Sequence, residues 1–168
     1  MQQTSSQYFR TIRILQLALV AGQVVFAGIS LLLTKDGRLT ANTELIPIFN
    51  IIVPVLAAAG IAGSMVLFRM KVNQAKMEPE LTAKMAGYRA ALILKYAMLE
   101  GPSLFAVIAY LLTGQLLYLA APVILIILTL MQRPDKDTAV KELELDYNEQ
   151  AKLDTSDDLI ADYKTDFD

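Results

Sequence analysis

Residues 14–33 and 46–68 contain no charged side chain. Apolar runs of this length restrict the fold sharply. Hydrocarbon offers no partner for a backbone N–H or C=O, so a chain crossing it must satisfy those groups internally, as a helix does, and ~20 residues suffice to cross. A third such stretch, 90–112, holds only Lys95 and Glu100, and a fourth, 116–131, is short. The fourth can extend through Gln115 and Gln132, or sit where the bilayer thins. The expected fold is therefore all-α: an integral membrane four-helix bundle over residues 1–132, with spans at about 14–33, 46–68, 90–112 and 116–131. Residues 133–168 follow as an acidic, partly helical tail. The first apolar block is too long for a cleavable signal, and no small-x-small cleavage pattern follows it.

Composition narrows the chemistry. The chain is 55% hydrophobic and has neither cysteine nor histidine. That removes thiol nucleophiles, Cys/His zinc sites, haem ligation by those residues and Ser-His-Asp triads. Phosphate-cradling loops and dinucleotide fingerprints are missing as well. An acidic tail without an aromatic-interleaved basic stripe argues against nucleic acid. The expectation is a non-enzyme without cofactor or metal.

Charge is divided along the chain. Residues 132–168 hold five basic and twelve acidic side chains, and residues 1–131 hold ten basic and five acidic. Within the span-bearing part the cations alternate by side. Arg10, Arg13, Arg69, Lys71, Lys76, Lys84, Arg89, Arg133, Lys136 and Lys141 fall on one side, and Lys35 and Arg38 on the other. Ten against two predicts cytoplasmic N- and C-termini in a bacterial inner membrane.

A shift of 79 residues lays the first span on the third. Arg10 meets Arg89, Ile14-Leu15 meets Ile93-Leu94, Ala18 meets Ala97 and Gly22 meets Gly101. Phe26-Ala27 then meets Phe105-Ala106, Ile29 meets Ile108, and Leu32-Leu33-Thr34 meets Leu111-Leu112-Thr113. These are eleven identities over twenty-five ungapped positions. The second and fourth spans match loosely through Val53-Pro54-Val55 and Ala121-Pro122-Val123. The pattern predicts an internal repeat of two parallel two-span hairpins. Ala18 with Gly22, Ala97 with Gly101, and the ridge around Gly60 are small residues that let helices approach closely, so they are the expected packing positions.

Glu100 lies about eleven residues into its span, roughly 16 Å deep at 1.5 Å per residue. A carboxylate there costs from ~2.5 to more than 10 kcal/mol. The first repeat has Ala21 at this position. Tyr96, one turn earlier, and Gln23, at similar depth, are the expected polar partners, with Asn50 a shallower candidate. Gly101 and Pro102 are expected to open the helix, since Pro102 lacks the N–H that would bond the Met98 carbonyl. Lys95 either snorkels to the surface or pairs with Glu100. Two roles remain for Glu100: a protonatable site for a proton or cation, or a neutral hydrogen-bonded pin between helices.

Ala97-Met98-Leu99-Glu100, with Leu104-Phe105-Ala106-Val107-Ile108-Ala109 after it, resembles the carboxylate helix of rotary ATP synthase c subunits, the proteolipids. The shared features are a small residue three before the acid and an aromatic five after it. One acid per two hairpins is similar to the four-span proteolipids of V-type rotors. The resemblance implies proton or cation binding at Glu100. The chain departs from it in Pro102, in the placement of the acid in the first span of its hairpin, in lacking an Arg-Gln-Pro turn and in its acidic tail. Over most of its length the chain resembles an uncharacterised family of small bacterial four-span membrane proteins. That likeness is carried by residues 19–26, by Tyr88-Arg89 with 99–105, and by Arg133-Pro134 with Glu142-Leu143-Glu144-Leu145. It implies a membrane location and no particular activity.

In the tail, Asp137 or Thr138 is expected to cap a short helix whose apolar stripe is Val140, Leu143 and Tyr147. Leu159, Ile160 and Tyr163 form a second apolar group. Beyond Lys152 the composition suits a solvating, partly disordered tail. The alternative is docking on a basic protein surface, of which the chain's own 69–89 loop is one. Met77-Glu78-Pro79-Glu80 is placed to start a helix there. Expected partners are the lipid bilayer, a second copy of the chain or another membrane protein, and a basic surface for the tail. The alternative to a proton- or cation-linked role is a non-transporting scaffold or accessory subunit.

Overall fold

The computed structural model describes residues 2–35, 41–154 and 159–162. It is helical apart from one short ribbon. Strand β1 (Gln2–Thr4) leads into α1 (Ser5–Lys35), and a 3-10 turn (Thr43–Leu45) leads into α2 (Ile46–Lys76). Next come α3 (Leu81–Thr113), a second 3-10 turn (Leu116–Leu119), α4 (Ala120–Met131), α5 (Lys136–Leu143) and α6 (Tyr147–Asp154). Strand β2 (Leu159–Asp162) pairs antiparallel with β1. Among the described residues three helices are long and apolar enough to cross a membrane, and a fourth, Leu116–Met131, counts only when taken with α5.

The first three helices have 31, 31 and 33 residues. At 1.5 Å per residue each exceeds the ~30 Å hydrocarbon thickness. The excess corrects one expectation. The basic 69–89 segment is not a loop, because α2 runs on to Lys76 and α3 starts at Leu81. Its physical reason is an apolar face. Val72, Ala75, Met85 and Tyr88 are all buried, which rewards continuing both helices beyond the apolar stretches. Pro79 lies just ahead of α3, whose first turn has the Glu80 carbonyl accepting from Lys84 N–H at 3.0 Å.

The chain divides into two compact units. The first comprises residues 1–15, 66–94 and 133–168. Tyr8, Ile12, Phe68, Met85, Leu143 and Leu153 are among its buried residues, and the Tyr8 hydroxyl donates to the Met85 carbonyl at 2.5 Å. Helices α2 and α3 come very close here: a Cβ on Gly87 would lie 2.7 Å from that of Ala75. The tail belongs to this unit and is tied to it by charge. Lys76 Nζ lies 2.7 Å from Glu144 Oε1, Lys84 Nζ lies 2.6 Å from Glu149 Oε1, and Lys136 pairs with Asp154.

Two details of the tail differ from expectation. Asp135, not Asp137 or Thr138, caps α5, its Oδ1 accepting from Thr138 N–H at 2.7 Å. Asp135 has extended backbone immediately before the helix, as a capping residue must. Bonds from the Thr138 side chain and then its backbone N–H hold the Asp135 carboxyl below its ordinary pKa. The stripe does not reach Tyr147, which is exposed. Glu144 ends α5 in the left-handed region at φ 52°, the chain turns there, and Leu145 is buried instead. A reciprocal capping box then starts α6: Glu149 N–H donates to Asp146 Oδ1 at 2.8 Å, and Asp146 N–H to Glu149 Oε2 at 3.0 Å. Arg38, used for sidedness, lies outside the described residues, as does Tyr163; no side chain is described for Leu159 or Ile160. Past Asp154 only the backbone of β2 is described, so the solvating stretch expected there lies mostly outside the described residues.

The second unit comprises residues 16–65 and 95–132. Its core includes Val53, Ala106, Ala109, Tyr110 and Tyr118, with Phe49 edge-on to both Phe105 and Tyr118. Helices α2 and α3 approach closely at Gly60, where a Cβ would lie 2.6 Å from Pro102 Cγ and 2.7 Å from the Met98 carbonyl oxygen.

Candidate functional site

Glu100 sits in the apolar stretch of α3, a helix long and apolar enough to cross a membrane, and is half-buried. Around it on the helix, Ile93, Ala97, Gly101 and Ile108 are exposed, whereas Tyr96, Leu99 and Ser103 are buried. The carboxyl is thus at the margin between the packed face and the outward face. Among the described residues it makes no hydrogen bond or ion pair. Lys95 is half-buried.

The two expected partners are engaged elsewhere. Gln23 Oε1 accepts from the Ser103 hydroxyl at 2.5 Å, linking α1 to α3 within the apolar region. Tyr96 points its hydroxyl at the Gln132 carbonyl, 3.5 Å away. That carbonyl also accepts from Gln16 Nε2 at 2.9 Å, and the same nitrogen donates to the Thr129 carbonyl at 2.5 Å. Helix ends leave carbonyls without intrahelical partners. Here Thr129 is buried while Met131 at the end of the short α4 is exposed, and side chains from α1 and α3 close its last carbonyls. Asn50 is likewise occupied, accepting from the Tyr118 hydroxyl at 2.9 Å.

Pro102 behaves differently from the expected opening. Helix α3 is continuous through it, and the Met98 carbonyl that it cannot bond is covered by Gly60. Gly101 has nothing within 4 Å of a Cβ position, as does Gly22. Of the expected packing residues, Gly60 is at a helix contact, whereas Ala18, Gly22 and Ala97 are exposed. The reason is that a small side chain permits close approach without requiring it, and the neighbouring helices meet α1 and α3 on other faces.

Gln16, Ser103, Thr129 and Gln132 were not singled out as partners in the sequence. Their signal is faint: a lone polar residue in an apolar run, with its mate as many as 116 positions away. A groove of about 330 Å³ runs beside α2 and α4, lined largely by apolar groups such as Val53, Pro54 and Ile124, with Asn50 and Tyr118 its polar members. Glu100 does not line it. Among the described residues no three acids come together as a metal site.

Some of the positions related by the 79-residue shift have the same burial, and others, such as Leu17 with Tyr96 and Val24 with Ser103, do not. Ile14 and Ile93, Ala18 and Ala97, Gly22 and Gly101, and Ile29 and Ile108 are exposed in both helices. Val20 and Leu99 are buried, as are Ser30 and Ala109. Thr34 and Thr113 each return their hydroxyl to the carbonyl four residues back, at 2.8 and 2.7 Å. No family model, curated protein or solved structure matches the chain.

Proposed function

We propose that this is a four-span protein of the bacterial inner membrane, with both termini cytoplasmic, in which Glu100 is a protonatable carboxyl that binds a proton or cation. The observation that carries this is the lack of any hydrogen bond or ion pair to Glu100 among the described residues, at a depth where such a group is costly. A helix pin must bond to a second helix. That role is filled by Gln23 with Ser103 and by Gln16 with the end of α4. The scaffold reading, in which Glu100 is structural, therefore leaves the acid without a task. Exposed Ala97 and Gly101 beside it leave room for an ion, water or a neighbouring helix to reach the carboxyl. The eleven identities at the 79-residue shift support descent of the two hairpins from one duplicated unit, with Ala21 where the second carries its acid.

Replacing Glu100 with Gln keeps size and hydrogen bonding but removes ionisation. The expected outcome is an intact fold that has lost carbodiimide labelling and one titrating proton. Equal labelling and proton uptake in wild type and E100Q would defeat the proposal; unfolding of E100Q with E100A equally unfolded would favour the pin.

A further inference from the structure

A cleft of about 540 Å³ opens in the unit that contains the tail. The first turns of α1 form one wall, and the Pro134–Lys136 segment with the end of α6 forms the other. Arg10 and Arg13 line the α1 wall, three residues apart and so neighbours on one helix face. Both are exposed, and neither has a hydrogen bond or ion pair among the described residues. Ser5 lines the same wall, is 6% exposed, and its hydroxyl likewise has no partner among them.

The acids of the cleft are already taken. Asp154 pairs with Lys136, and the Asp135 carboxylate is bonded to the Thr138 amide as the α5 cap. Among the described residues the cleft therefore presents two guanidinium groups and a hydroxyl donor that have no partner, with committed carboxylates opposite. Guanidinium matches a phosphate oxygen pair with parallel hydrogen bonds, which a point charge cannot do. Arg13 directly precedes the uncharged stretch that starts at Ile14, so the pair stands where a span meets the headgroup layer. Phe9, half-buried in the same wall, adds an apolar flank of the kind a lipid glycerol region needs.

We infer that this cleft is a phosphate-binding site, and that the phosphate is the headgroup diester of an anionic lipid. The inference rests on the chain spanning a membrane and is independent of the role of Glu100, whose variant tests that role separately. Basic side chains at this boundary attract anionic lipid generally; the cleft adds a defined place for one headgroup.

The test uses the full chain purified in neutral detergent, read by thermal unfolding and by native mass spectrometry. The additives are short-chain phosphatidylglycerol, short-chain phosphatidylcholine and inorganic phosphate. Phosphatidylglycerol is expected to raise the unfolding temperature and remain bound, and phosphatidylcholine to do neither. Replacing both arginines (Arg10→Gln with Arg13→Gln) should weaken phosphatidylglycerol binding on the order of tenfold, as loss of charge-assisted bonds implies. The pair Arg69→Gln and Lys71→Gln removes the same charge from exposed positions outside the cleft and should change it less than ~2-fold. Ser5→Ala, which leaves the charge intact, should weaken it by a few-fold. Equal weakening by the control pair, or equal retention of phosphatidylcholine, overturns the site. If inorganic phosphate stabilises as well as the lipid does at equal concentration, the assignment to lipid is overturned and the source is soluble phosphate.

Discussion

The tail-bearing unit and the membrane unit join distant segments with different chemistry. In the first, Lys76, Lys84 and Lys136 meet carboxylates of the tail. In the second, the joints between α1, α3, α4 and α2 are neutral: Gln23 with Ser103, Gln16 with the end of α4, Tyr118 with Asn50. Solvent explains the division. Water can stabilise a separated ion pair, so surface pairs cost little to maintain and contribute little. Hydrocarbon cannot, so an amide or hydroxyl that finds a mate is the affordable polar group there. Against that pattern Glu100 stands apart, being an acid in the membrane unit without a mate among the described residues.

The largest expected effect comes from the helix contact. Gly60→Leu would drive a side chain into Pro102 and the Met98 carbonyl, and backbone cannot yield as a side-chain tip can. A loss of about 3 kcal/mol or more is expected, measured by unfolding in detergent. Gly101→Ala and Gly22→Ala face open space, so they should be neutral or stabilise by up to about 1 kcal/mol through helix propensity. If Gly101→Ala destabilises as much as Gly60→Leu, the outward faces of α1 and α3 are packed in solution, and a second copy of the chain becomes the natural cover.

The neutral joint comes next. Ser103 and Gln23 are 0% and 2% exposed, so removing either mate leaves a polar atom buried. Gln23→Ala or Ser103→Ala should each cost about 1–3 kcal/mol. Exchanging both for apolar residues of similar size should cost less than the sum, which a double-mutant cycle measures. Strict additivity would show that the pair is not a joint.

The long apolar spans were legible because a bilayer admits few ways to satisfy a backbone. The pairing of the tail acids with Lys76 and Lys84 was open in the sequence only as an alternative to a solvating tail, because complementary charge permits docking without requiring it. The faces of the helices were not. Lipid tails and protein interior are about equally apolar, so hydrophobic periodicity does not mark which side of α1 or α3 is packed. Hence Gly60 could be recognised as a contact, while Ala18, Gly22 and Ala97, equally small, were assigned to packing yet are exposed. The pairing of Gln23 with Ser103 rather than Glu100 depends on helix rotation, and one step of rotation changes the mate. The tail cap at Asp135 was displaced from its expected position because three candidates, Asp135, Asp137 and Thr138, compete within one turn, and backbone geometry decides among them.

The smallest effects belong to the charged joints, and pH separates them from the neutral ones. The Lys84–Glu149 pair is largely buried, with side-chain exposures of 14% and 15%, while Glu144 in the other pair is 75% exposed. Glu149→Gln should loosen the tail by about 1–2 kcal/mol, and Glu144→Gln by less, since its pair is open to solvent. Asp135 is held below its ordinary pKa by its bonds to Thr138, and Glu144 by Lys76. A depressed carboxyl pKa contributes stability above its unfolded value, near ~4, and that stability is lost as pH falls through the folded value. Acidification from pH 7 to 3 should therefore free α5 and α6 while the Gln23–Ser103 joint, which has no group titrating in that range, persists. Hydrogen exchange of the α5 amides against those of α3 near Ser103 reads the difference directly. Asp135→Asn keeps a capping oxygen but cannot titrate, so it should flatten part of the acid limb in α5 alone. An acid limb of equal steepness in α3 near Ser103 would mean that both units are held by ionised groups, and Glu100 would then have a mate after all.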